Sequence, residues 1–238
     1  VVLDAGTGIL LYGKRSQEVR PLASVTKLLT ALTVIAEHSN SETLVTIIAD
    51  DIPPEGHTVL AVGDRVMISD LLTALLVGSD NAAANALARG VAGSRMAFVD
   101  RMRARAAVLG LRSIAVVDPS GLHAGNVGSA ADVARLMQLA SSVPDMLLPT
   151  VTINAHQPNR TALVVHATNI LVRDGTKTSF RITGGKTGYT DEAGYNLVLG
   201  AERNGHAIMV AVLGSDAHDD RFRDARILAD WAFRAFTW

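Results

Sequence analysis

The chain has 238 residues, is 48% hydrophobic and 19% charged, and carries a net charge of −1. That length suffices for one large or two small domains with a well-buried core, and the balanced charge leaves no basic excess to attract nucleic acid. Cysteine is absent, which excludes disulfides, thiolate catalysis and cysteine-ligated zinc, and no apolar run approaches the roughly 18 residues of a membrane helix. The start at Val1, with neither Met nor a signal segment, reads as a mature or trimmed product.

Residues 1–4 and 9–12 flank Ala5-Gly6-Thr7-Gly8 and predict a hairpin. Pro21 precedes a predicted helix over 24–36, with Leu28, Leu32 and Ile35 on one face. A short strand is expected at 44–48. Helical patterns follow at 70–77, 81–91, 96–109 and 130–140, with Gly78, Gly93 and Gly110 near the breaks. Residues 119–128 are glycine-rich and loop-like. Strand-like runs then take over at 150–153, 162–165, 180–183, 196–201 and 207–213, and Asn204-Gly205 is a strong hairpin signal between the last two. A helix over 219–236 closes the chain, and Tyr195 and Trp231 are expected in the core.

This order predicts an α/β protein: an antiparallel sheet built from both chain ends, flanked by helices, with a mostly helical inserted subdomain. The expected partition is a single catalytic domain over 1–238, its α/β part at 1–50 and 150–238 and its helical insertion at 69–145. A cleft is expected where the two parts meet.

Three short motifs carry the chemistry. In Ser24-Val25-Thr26-Lys27 the serine and lysine are three apart, so a helix starting near Ser24 puts both on one face. The Ser24 N–H, in the first turn, is free to stabilise an oxyanion. Lys27 activates the hydroxyl only when neutral, which requires burial or a nearby cation. Alone, the pair reads better as a helix cap and a solvated lysine. In Ser79-Asp80-Asn81 the hydroxyl suits a proton relay fed from Lys27 and the amide suits a substrate carbonyl, while Ser79 and Asp80 also suit a helix cap.

In Lys186-Thr187-Gly188-Tyr189 the cation and hydroxyl suit a carboxylate, and the Tyr189 N–H is a candidate second oxyanion donor. Gly184-Gly185 just before it reads as a place of close ligand approach, and the Lys186 charge as a help in keeping Lys27 neutral. Lys177-Thr178-Ser179 lacks the glycine and is set aside.

In this order and spacing the motifs are jointly specific. The chain resembles the penicillin-recognising serine enzymes, most of all the low-molecular-mass D-alanyl-D-alanine carboxypeptidases. The resemblance rests on Leu3-Asp4-Ala5, Pro21 through Lys27, Asp118-Pro119-Ser120-Gly121-Leu122, Gly185 through Thr190 and Ala193 through Leu197. It implies a serine peptidase that removes the terminal D-alanine from peptidoglycan stem peptides and is acylated by β-lactams. It implies Ser24 as nucleophile, Lys27 as base and Ser79 as relay. It further implies Asn81, Lys186, Thr187, Gly188, Tyr189 and Arg221 at the substrate, and no cofactor or metal. Arg221, placed by its distance from Trp231-Ala232-Phe233, matches an arginine that helps bind the terminal carboxylate. An extracytoplasmic location also follows, with no membrane segment in this chain and no nucleic-acid partner.

Asp80 departs from the pattern, since these carboxypeptidases usually carry glycine there and Ser-Asp-Asn is the class A β-lactamase form. Those lactamases use a glutamate between the second and third motifs to activate water. Glu18, Glu37, Glu42, Glu55, Glu192 and Glu202 all lie outside that window. Asp118 and Asp132 are the possible substitutes, but neither sits in a recognisable loop of that kind. β-Lactams are therefore expected to acylate and leave slowly. A penicillin-binding sensor would keep the same residues without releasing product. A metallohydrolase would need more than these seven scattered histidines, which form no His-Glu-x-x-His. The loop Ser120-Gly121-Leu122-His123 reads as a cleft wall or an ordinary turn, Asn169 and Leu171 as a family element or as packing, and Asn159-Arg160-Thr161 as a chance sequon.

Overall fold

The structure, a computed structural model, describes residues 1–37, 40–141, 143, 146, 148–158 and 160–236. Asn159 of the sequon lies outside them. The main sheet is antiparallel and five-stranded. Strands β1 (Val2–Asp4) and β2 (Leu10–Tyr12) come from the start of the chain. Strands β9 (Arg181–Thr190), β10 (Gly194–Arg203) and β11 (His206–Ser215) come from its end, in the order β2-β1-β11-β10-β9. The expected sheet from both termini is observed. Val2 pairs with Val210, so β1 joins the two ends of the chain.

Between them, β3 (Val19–Pro21) pairs with β6 (Val127–Ser129) and delivers the chain to a 3-10 turn, Ala23–Thr26. That turn runs into α1 (Lys27–Glu37). Next come β4 (Leu44–Thr46), β5 (Arg65–Met67), α2 (Ile68–Val77), α3 (Asn81–Ala92), α4 (Arg95–Val108) and α5 (Ala130–Ala140). Helix α1 touches α2, α3, α4 and α5, which explains why Lys27 through Val34 are all buried rather than one face alone. Ile35, expected on the buried face, is 46% exposed past the end of that packing.

Two expectations are corrected. The strands expected at 150–153 and 162–165 exist, as β7 (Thr150–Gln157) and β8 (Arg160–His166), but they form a separate hairpin that packs on β5 and α2. Trp231 is not in the core: it lies at the surface on α7 (Asp220–Ala235), edge-on to Tyr12 and Phe236. The short helix α6 (Ile170–Arg173) leads from the hairpin back to β9 and is capped by the Asn169 side chain, which accepts from the Leu171 N–H at 3.1 Å.

The core divides around the sheet. On one side α5 and the helical part bury Leu28, Leu75, Leu87, Phe98 and Met137. On the other α7 packs Phe222, Ala225 and Ala229 against Leu197, Leu199 and Val210. Burial of apolar surface at roughly 25 cal/mol per Å² drives both, and it leaves the motif residues where the two parts meet.

Candidate active site

Ser24 sits in the 3-10 turn rather than in an α-helix. Three residues per turn aligns Ser24 and Lys27 directly, one above the other. Lys27 Nζ donates to Ser24 Oγ at 2.9 Å, to Asn81 Oδ1 at 2.6 Å and to the Ser120 carbonyl at 2.6 Å. The lysine is fully buried. Burial pushes its ammonium down to about 7, against upward pulls from the Asp80 and Asp118 carboxylates. The expected depression is thus present, with burial as its main cause rather than the second cation.

Two flanking residues have left-handed backbones: Ala23, just before the nucleophile candidate, at φ 49°, and Ser79 at φ 59°. Such conformations cost free energy in non-glycine residues and persist where surrounding contacts enforce them. At Ala23 the enforcement is visible. Asn196, fully buried on β10, donates through Nδ2 to the Pro21 and Leu22 carbonyls, each at 3.1 Å, and accepts from the Gly214 N–H at 2.7 Å. Gly121 and Gly188 close on the same turn. A Cβ on Gly121 would lie 2.0 Å from the Ala23 carbonyl oxygen, and one on Gly188 2.8 Å from the Leu22 carbonyl oxygen and 3.2 Å from the Ser24 nitrogen. The glycine of the third motif therefore lets β9 lie against the Ser24 amide, which places the Ser24 and Tyr189 N–H groups on neighbouring backbone.

Ser79 does not cap α3. Asp80 does, its Oδ1 accepting from the Ala83 N–H at 2.9 Å, which leaves the Ser79 hydroxyl free to face the cleft. Its bonded neighbour is Lys186 Nζ at 2.8 Å, not Lys27 as the relay reading expected. Lys186 also donates to the Thr187 carbonyl at 3.0 Å. It is buried, and burial, with Lys27 and Arg221 close by, holds it well below its ordinary value. The Thr187 hydroxyl meets the Thr168 hydroxyl at 2.6 Å, a neighbour that no motif pointed to.

Arg221 is placed differently from the expectation of a carboxylate contact. It lies behind β9, 5% exposed, with Nη1 donating to the Gly188 and Asn196 carbonyls at 3.0 and 3.3 Å. Its guanidinium lies over the Tyr195 and Phe222 rings, its Nε is buried without a partner, and burial lowers it to about 10. Tyr189 is half-exposed; its ring stacks on Tyr195 at 4.3 Å and its hydroxyl donates to Asp191 at 2.7 Å. Gly184 and Gly185 are filled from within rather than open to a ligand: a Cβ would meet Met137 at 2.8 Å and the Val198 carbonyl at 2.9 Å, respectively.

The Asp118–Leu122 segment is a cleft wall. Asp118 Oδ1 accepts from the Ser120 N–H, the Ser120 hydroxyl and the Gly121 N–H at 2.6–2.8 Å. Its Oδ2 accepts from the His123 N–H at 2.9 Å and Asn126 Nδ2 at 2.8 Å. Burial alone would raise this carboxyl, but the donors from Ser120, His123 and Gly121 hold it below its ordinary value. The clamp aims the Ser120 carbonyl at Lys27. The sequence signal for it was the run Asp118 through Leu122, a short acidic turn closed by Gly121.

A covalent serine chemistry thus has a hydroxyl, a depressed lysine, a second hydroxyl–lysine pair and two adjacent backbone donors in one place. The sequence profile of the D-alanyl-D-alanine carboxypeptidase family, peptidase family S11, matches residues 1–217. Among relatives, the chain is 33% identical over 237 residues to a D-alanyl-D-alanine endopeptidase of Pseudomonas aeruginosa, covering 97% of this chain and 75% of that one. In structure it is similar to a D-alanyl-D-alanine carboxypeptidase of Mycobacterium tuberculosis, with a TM-score of 0.89, 27% identity and coverage of 99% and 90% of the two chains. It is also similar to a Streptomyces DD-transpeptidase, with a TM-score of 0.88, 26% identity and coverage of 98% and 95%. The chain belongs to the D-alanyl-D-alanine carboxypeptidase family of serine peptidases. Among the described residues, no helix is long and apolar enough to cross a membrane.

Proposed function

We propose that this chain removes the terminal D-alanine from peptidoglycan stem peptides through an ester on Ser24, and that β-lactams acylate the same atom. The observation that carries the reading is the 2.9 Å contact between Ser24 Oγ and a fully buried Lys27 whose ammonium is held near 7. The substrate carboxylate docks at the Thr187 and Thr168 hydroxyls, with Lys186 and Arg221 supplying positive charge from behind. Asn81 holds Lys27 through Oδ1 and offers Nδ2 to the acyl-side amide.

As Ser24 Oγ bonds to the penultimate carbonyl carbon, its proton passes to Lys27, and the Ser24 and Tyr189 N–H groups take the oxyanion. The C–N bond breaks as Ser79 gives its proton to the departing amine and takes one from Lys186. Transfer of the Lys27 proton to Lys186 resets both lysines. Water then attacks the ester, giving its proton to Lys27 and through it to the Ser24 oxygen. Action on cell-wall peptides places the protein outside the cytoplasm.

Slow release of β-lactams agrees with the state of the carboxylates. Asp118 is saturated with donors, and Asp132 Oδ2 is taken by the Ser113 N–H and hydroxyl, both at 2.7 Å. Asp118 thus has both oxygens engaged, and Asp132 is held through Oδ2 to the Ser113 turn. The test is intact-mass analysis over time after benzylpenicillin, beside D-alanine release from an N-acyl-Lys-D-Ala-D-Ala peptide. A persistent single adduct, lost in Ser24→Ala together with D-alanine release, is the expected result. Rapid nitrocefin turnover, or an adduct that survives Ser24→Ala, overturns the reading. A cross-linked muropeptide dimer belongs in the same assay, because the Pseudomonas relative is named an endopeptidase.

A further inference from the structure

The middle residue of the second motif is tied to a loop that no motif includes. Asp80 is buried, and its Oδ2 accepts from the Thr58 hydroxyl at 2.9 Å and the Val59 N–H at 2.8 Å. The next residue continues the lacing, the Asn81 N–H donating to the His57 carbonyl at 3.2 Å. From the other side, Arg160 Nη2 donates to the Val59 carbonyl. Glu55, Gly56 and His57 are exposed, so these bonds, with Val59 packed on the core at the end of the loop, set where the loop lies.

The loop lies against the side-chain amide of Asn81. Gly56 has φ +89°, and a Cβ there would lie 2.0 Å from Asn81 Nδ2 and 3.6 Å from Leu122 Cδ2. Only glycine lets the loop come this close to the amide left free by Lys27. Leu122 also lines, with Pro53, Asn85 and Val99, a cavity of about 580 Å³ beside the loop. Asn81, Gly56, Leu122 and Pro53 thus form a wall with apolar surface beside the amide that the proposed mechanism offers to the acyl side.

We propose that residues 53–59 are the selectivity wall for the acyl-side residue and that Asp80 is the positioning residue that holds it. The proposal rests on the Ser24 acyl-enzyme reading. A long upstream side chain buries apolar surface on the wall; a glycine in its place buries none.

The test compares two N-acetylated tripeptides ending in D-Ala-D-Ala, one with glycine upstream and one with Nε-acetyl-lysine. The protein and its Asp80→Asn, Thr58→Val and Gly56→Ala variants are assayed, with penicillin adduct formation run on each. Thr58→Val removes the hydroxyl's bond to Asp80 and its acceptance from the Leu60 N–H while leaving the Asp80 charge in place; Gly56→Ala pushes the loop off Asn81. The expected result is a kcat/KM ratio, lysine over glycine substrate, that falls at least fivefold in Thr58→Val and Gly56→Ala, chiefly through KM for the lysine substrate. A ratio within twofold of the unsubstituted protein in all three variants, with adduct still forming, overturns the wall alone. Absence of any adduct in the unsubstituted protein strikes the acyl-enzyme reading and the wall with it.

Discussion

In the proposed mechanism one side chain, Lys27, serves both activity and stability. Its ammonium has an ordinary value of 10.5 and is pushed to about 7 by burial in the fold. The neutral form is the base, so penicillin acylation rises with pH through an inflection near 7, measured as the rate of adduct formation. Lys27→Arg keeps the charge at every pH and so lacks a base; acylation falls by about 10²–10⁴-fold. The same shift has a thermodynamic sign. Between about 7 and 10.5 the unfolded chain holds a proton here that the folded chain lacks, so this group adds stability as pH rises across that window and least below it. Urea midpoints that climb from pH 7 to 9 in the unsubstituted protein, but less in Lys27→Met, check that sign. The reacting residue types were legible in the sequence because they cluster in short motifs. Asp80 was not: its partners Thr58 and Val59 are more than twenty residues away, and a carboxylate pattern alone does not distinguish a cap from a tether.

At the level of elements, the two motif serines are presented by different devices. Ser24 rides a 3-10 turn whose entry is clamped to β10, and Ser79 stands at the mouth of α3 because its neighbour takes over the capping. Periodicity foretold helices in both places, yet it could not show the 3-10 turn, the positive φ angles or the partner strand. The Ser24 turn depends on Asn196, which lies 174 and 175 residues from the carbonyls it binds. Asn196→Ala takes the side-chain donor from the Pro21 and Leu22 carbonyls and leaves the Gly214 N–H without its side-chain acceptor, at about 1–3 kcal/mol. For a chain of this size that lowers Tm by roughly 2–4 °C per kcal/mol. Adduct formation slows by more than the stability loss explains when measured well below Tm, because the Ser24 amide loses its register with β9. The hairpin β7–β8 was foreseen as strands but not as a separate unit. Its side chains alternate as any half-buried strand does, and nothing local says which sheet it joins.

For the whole molecule, a sheet closed by both termini brings the Ser24 turn under strands that come last in the chain. The expected architecture was readable because strands at both ends with helices between admit few compact arrangements. The meeting of the two parts was not, since it rests on long-range contacts such as the Gly188 backbone on Leu22 and Lys186 on Ser79.

One consequence concerns timing. The turn holding Ser24 emerges early in synthesis, but the strand that grips it and the glycine that lies on its amide emerge only after most of the chain. On the proposed mechanism the serine therefore remains unarmed on the growing polypeptide, and its site is completed in a late step. Chains released before residue 196 carry every residue of the first two motifs, yet they take up no radiolabelled penicillin. Chains that also carry α7, which covers the sheet and brings Arg221 to the Gly188 and Asn196 carbonyls, and that hang from a stalled ribosome by a linker clearing the exit tunnel, are the first to be labelled.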